Sequence, residues 1–159
     1  MELMRVIVYA GLSKSRGVPQ FHIQDLLCIA GIAQIALVIG SLVIPKILNW
    51  KPELGKVRPL IKQMFWTYAA YILVINLSFG LLSAFDFREL INGSNLAMVI
   101  TGFIAVYWVS RVLIQFFYFD RRDFPTGKLN MLAEVLLVAL FVFLSLVYSL
   151  ACYTNYIQI

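Results

Sequence analysis

Charge is what this sequence has least of. Only 13% of its 159 residues are Asp, Glu, Lys or Arg, against about a quarter in a typical soluble domain. Hydrophobic residues reach 62%, and the mean hydropathy is +0.87. That leaves too little polar surface to enclose a globule in water, which excludes an ordinary soluble domain. Cysteine is scarce as well. Cys28 and Cys152 make no CxxC pair and no disulfide framework, and each is expected as a separate buried thiol. The single histidine, His22, cannot build a metal site or a paired-imidazole haem site. There is no phosphate-binding glycine loop, HExxH motif, nucleophile elbow or metal-binding acidic box. The sequence implies neither a cofactor nor a metal.

The charge that remains is skewed, with 13 basic against 8 acidic residues and a net charge of +5. A basic stripe would suggest a nucleic-acid partner. Here the basic residues are scattered between apolar blocks, which is the pattern of membrane flanks and not of a groove-binding face. No nucleic-acid partner is expected.

What the chain has in abundance is long apolar runs. Four of them, at about 26–45, 64–85, 96–119 and 131–153, are each close to the ~20 residues that cross a hydrocarbon core. In hydrocarbon such runs must be helical, because no water is present to satisfy the backbone. No alternating segments of about ten residues suggest a barrel. Pro45, the Asn92-Gly93-Ser94 triplet and Pro125-Thr126-Gly127 punctuate the connections, which are short. The expected fold is therefore all-α and integral to a membrane. It forms one domain over 1–159, an up-down-up-down bundle of four transmembrane helices with consecutive helices as antiparallel neighbours. Met1 to Leu12 is apolar, but Glu2 and Arg5 interrupt it and it is too short to span. It is expected to lie in the interface, and not to serve as a cleaved signal.

Orientation follows from the basic residues. Lys46, Lys51, Lys56, Arg58, Lys62, Arg121, Arg122 and Lys128 fall on one side. Arg5, Lys14, Arg16 and Arg88 fall on the other, with Arg111 inside a helix. The positive-inside rule then places both termini outside the cytoplasm. Trp50, Trp66 and Tyr118 would mark one interface, Tyr153 and Tyr156 the other.

Polar groups inside hydrocarbon are costly, so candidate sites are sought there. Arg111 and Glu134 are the acid and base well inside any span, and they would approach each other across the last helical hairpin as an ion pair. Tyr107 and Gln115 stand four residues to either side of Arg111, on its face of the helix. Gln34 and Ser41 on the first helix, Tyr68 and Asn76 on the second, and Ser145, Ser149 and Cys152 on the last extend a polar seam to every helix. Such groups serve either as interhelical glue or as the lining of a pocket. Small-residue pairs at Ala36/Gly40, Gly80/Ala84 and Ser145/Ser149 permit close packing, within the chain or against another subunit.

With no catalytic constellation, the expected function is association: an accessory or assembly subunit of a larger membrane complex, or a homo-oligomer. Its partners would be membrane lipids and other membrane subunits or further copies of itself. The alternative is a membrane enzyme or carrier for a small or lipophilic substrate, with Arg111, Glu134, Gln115, Tyr107, Asn76 and Gln34 lining an intramembrane pocket. The topology has a direct test. Cysteines introduced at Lys56 and Gly127 should be shielded from an impermeant thiol reagent in intact cells, and one at Gly93 should react. Labelling in the reverse pattern overturns the orientation.

Overall fold

The computed structural model describes residues 20–118 and 128–159, with side chains over 23–118 and 131–159. The expected interfacial segment, the His22 side chain and the Pro125 break lie outside the described residues. Every described element is helical. In chain order these are α1 (Gln20–Ser41), α2 (Ile44–Ile47), α3 (Trp50–Gly55), α4 (Pro59–Phe85), the 3-10 turn Glu89–Ile91, α5 (Asn95–Phe117) and α6 (Lys128–Gln158). Four stretches, Ile23–Ile47, Pro59–Phe85, Asn95–Phe117 and Met131–Gln158, are long and apolar enough to cross a membrane.

The ends of these helices differ from the expected ones for local reasons. The first apolar run breaks at Leu42–Val43, and Pro45 falls in the first turn of the short α2, where its missing N–H is not needed. The same rule starts α4 at Pro59, five residues before the apolar run begins. Ser94 caps α5, its hydroxyl accepting from the Ala97 N–H at 3.1 Å. The last helix continues past Tyr153 through polar residues, because Asn155 finds partners in the connection between α4 and α5. Its amide donates to the Leu90 carbonyl at 2.8 Å, and its carbonyl accepts from the Gly93 N–H at 3.1 Å. Gly93 has φ +71°, and an added Cβ would meet the Gln158 side chain at 2.8 Å. The positive φ favours glycine there.

The helices pack in the lateral order α4, α1, α6, α5, with α1·α4 and α5·α6 the most extensive pairs. Within each of these pairs the chains run oppositely. Cys28 meets Ala84 and Ile35 meets Gly80 across α1/α4, while Met98 meets Cys152 and Trp108 meets Phe141 across α5/α6. The expectation that every consecutive pair would be close neighbours needs correction at α4/α5. Those helices meet chiefly through the rings of Phe79, Phe103 and Tyr107, with centroids 6.0 and 5.5 Å from Phe79. The reason is side-chain size. Glycine lets α1 and α4 approach until a Cβ on Gly31 would run into the backbone of Ala84 and lie 2.8 Å from the Gly80 carbonyl oxygen. Three aromatic rings hold α4 and α5 apart instead.

Around this frame a core of Ile23, Leu27, Ala30, Ile104, Trp108, Phe141, Leu144, Tyr148 and Ala151 is buried. Large apolar side chains also cover the outside, among them Ile32, Ile39, Leu60, Phe103, Phe117 and Leu146. A surface this apolar suits lipid and not water. Both cysteines are free, each thiol directed at a carbonyl of a neighbouring helix, Cys28 at Ala84 and Cys152 at Met98.

The Gly31 crossing yields a stability prediction. Gly31→Ala forces two backbones apart and should cost about 1–3 kcal/mol in detergent, read as a lower thermal unfolding midpoint. Gly40→Ala, where an added Cβ meets nothing within 4 Å, should leave the midpoint nearly unchanged. Equal midpoints for the two variants would refute the close crossing.

Candidate functional site

Polar side chains are concentrated in the bundle interior. Gln34, Asn76, Ser83, Thr101, Gln115, Ser145, Thr154 and Asn155 are all buried. Thr101, Ser145 and Thr154 bond back to carbonyls one turn earlier in their own helices, at 2.6–2.9 Å, and Thr101 also accepts from Asn155 Nδ2 at 3.5 Å.

The remainder organise around Tyr148, which is fully buried on α6. Its hydroxyl lies 2.6 Å from Ser83 Oγ on α4 and donates to Gln34 Oε1 on α1 at 2.9 Å. One phenol thereby joins three helices that are far apart in sequence. With the Tyr148 proton given to Gln34, Ser83 is the donor in the other bond. A second knot lies toward the α6 C-terminus, where Asn155 ties α6 to the Leu90–Gly93 connection.

Of the residues expected at a site, Gln34, Asn76 and Gln115 are buried, while Tyr107, Arg111 and Glu134 are half-buried. Tyr68 and Ser149 face outward and leave the expected seam. Ser41 bonds to the Val38 carbonyl of its own helix at 2.7 Å. Between described residues the structure shows one ion pair, the exposed Lys56–Glu53 contact at 2.8 Å, and none joining Arg111 to Glu134. The Arg111 guanidinium carbon instead stands 5.4 Å from the centroid of the Phe141 ring, seven residues along α6 from Glu134. That is a cation–π contact, which compensates a desolvated cation only in part.

Rings continue this arrangement through the interior. Phe79 packs on Tyr107, Tyr107 on Trp108 at 5.4 Å, and Trp108 on Phe141 at 5.3 Å. Five polar atoms in this interior have no hydrogen-bond partner among the described residues. Gln34 Nε2, Asn76 Oδ1, the Tyr107 hydroxyl, Trp108 Nε1 and Arg111 Nε are buried without a hydrogen bond. Native interiors leave few such atoms, and each calls for a physical reason. No cluster of His, Cys, Asp and Glu suited to a metal ion occurs among the described residues.

Sequence reasoning found Gln34, Asn76 and Gln115 by looking for polar residues in apolar runs. It passed over Tyr148, Ser83 and Asn155. Tyr148 reads as one more aromatic, and its register with Gln34 depends on a pairing of first and last helices that no local pattern reveals. Comparison with protein-family models, with characterised proteins and with solved structures finds no match to this chain.

The Asn155 knot predicts a local effect. Asn155→Leu removes both bonds to the α4/α5 connection, so backbone amides over 89–94 should exchange with solvent at least tenfold faster while those of α1 stay protected. Unchanged exchange at 89–94 would show that Asn155 does not hold that segment.

Proposed function

We propose that this protein is a small multi-pass membrane protein that acts through association, as an accessory subunit of a larger membrane assembly or as a homo-oligomer. In this reading α1, α4, α5 and α6 cross the bilayer up-down-up-down, with both termini on the non-cytoplasmic side. The basic residues around α2 and α3 then face the cytoplasm, next to the Trp50, Phe65 and Trp66 ring cluster at the interface, whose centroids lie 4.9–6.1 Å apart.

The observation that carries the reading is how the small residues are shared out. Gly80 and Ala84 are used inside the chain, facing Gly31 on α1. Ala36 and Gly40 are not: they lie on the outer side of α1, with Ile29, Ile32, Ile39 and Val43 along the same exposed side. Lipid is as apolar as leucine, so helices in a membrane associate through backbone proximity, and small residues provide it. An outward Ala-xxx-Gly pair on the helix that already anchors the bundle suits a further helix from another subunit.

The test exploits the open space at Gly40. Gly40→Leu should leave the thermal midpoint of the purified chain within a few degrees of the parent and abolish co-purification of its partner subunit, or of a second tagged copy, from native membranes. Retention of every such partner in the folded variant would refute association through α1.

A further inference from the structure

We propose that the bundle holds the anionic oxygen head of a lipid, a carboxylate or a phosphate, beside Tyr107, Trp108 and Arg111 of α5. The proposal stands independently of the association surface on α1, since a subunit and a carrier could equally retain such a lipid.

The unpartnered atoms define the ligand. Four of the five are donors: Gln34 Nε2, the Tyr107 hydroxyl, Trp108 Nε1 and Arg111 Nε. The fifth, Asn76 Oδ1, belongs to an amide whose oxygen and nitrogen ends exchange by a flip, so it can also present a donor. Three of these residues are almost wholly buried, Gln34 and Trp108 at 0% exposure and Asn76 at 6%.

Contacts relate three of them, Tyr107, Trp108 and Arg111. Phe79, three residues along α4 from Asn76, touches Tyr107, while Trp108 and Arg111 both lie against Phe141. Tyr107, Trp108 and Arg111 therefore occupy adjoining turns of α5, and Asn76 stands one turn along α4 from the Phe79 ring that packs on Tyr107. This is also where aromatic rings hold those two helices apart.

Water could satisfy the neutral donors, but it would not neutralise the half-buried Arg111 guanidinium, which has the Phe141 ring beside it. An anionic oxygen group answers both needs, because it accepts several hydrogen bonds and neutralises the charge. The source follows from depth. Arg111 is six residues from Phe117, the last of α5, which is roughly 9 Å inside the helix end at 1.5 Å per residue. A ligand whose tail stays in the bilayer reaches that level more readily than a solute from water.

The experiment is native mass spectrometry of the full chain, delipidated in dodecyl maltoside and titrated with oleate, phosphatidylglycerol or phosphatidylcholine. The parent should take up one oleate or one phosphatidylglycerol, at least tenfold more tightly than phosphatidylcholine. Oleate alone would identify a carboxylate head, phosphatidylglycerol alone a phosphate, and uptake of both a site selective for charge. Arg111→Gln should weaken anionic binding at least tenfold. Trp108→Phe, which keeps the ring and removes the N–H, should weaken it severalfold, and Lys56→Gln should leave it unchanged. Should Arg111→Gln fail to fold, the affinity of Trp108→Phe decides the matter. The proposal is overturned if anionic lipids bind no better than phosphatidylcholine, or if the folded variants bind them as tightly as the parent.

Discussion

The crossing of α1 over α4 at Gly31 and Gly80 is the constraint on which the other contacts depend. With no side chain on either residue, the two backbones approach closely enough for Ile35 to pack over Gly80 and for the Cys28 thiol to point at the Ala84 carbonyl. That approach presents Ser83 and Gln34 to the same hydroxyl of Tyr148. The α1/α4 pair and the α5/α6 pair are thus joined at a buried polar point where α1 meets α6. A larger residue at the crossing would separate not only two helices but also the two ends of that network. In a bilayer this matters more than it would in water, since apolar side chains gain little by leaving lipid for protein.

Two kinds of seam result, and they suit different tasks. Where residues are small, as between α1 and α4, helices meet backbone to backbone, and Gly102 likewise admits the Cys152 sulfur of α6. Where rings intervene, between α4 and α5, the helices stand apart, and the Tyr107 hydroxyl, Trp108 Nε1 and Arg111 Nε on α5 are buried without a hydrogen bond. The first kind brings backbones close, and the second leaves buried donors without partners. The outward Ala36/Gly40 pair has the same small residues but no helix of this chain against Gly40.

The number of long helices was legible in the sequence, because runs of Leu, Ile, Val and Phe near twenty residues long have few other uses. Their ends were less so. The extension of α4 back to Pro59 and of α6 on to Gln158 passes through polar residues, and only the capping geometry and the Asn155 bonds explain why the helix persists. Buried polar residues were found where polarity interrupts an apolar run, as at Gln34, Asn76 and Gln115. Tyr148 and Ser83 were missed because their roles depend on which helices are neighbours, and short connections wrongly suggested that α4 and α5 would pack closely. Arg111 stands out in the sequence as a base within an apolar run, but the group set against it is the ring of Phe141. A rule that pairs opposite charges does not anticipate a ring.

The most direct test of the α1-centred account is a thermodynamic cycle through Tyr148. Gln34→Leu, Ser83→Ala and the double variant should be compared by reversible unfolding in detergent, once with Tyr148 present and once in a Tyr148→Phe background. If the phenol joins the three helices, the first two changes should be non-additive by about 0.5–1.5 kcal/mol. That coupling should vanish when the hydroxyl is removed. Strict additivity with Tyr148 intact would contradict the account.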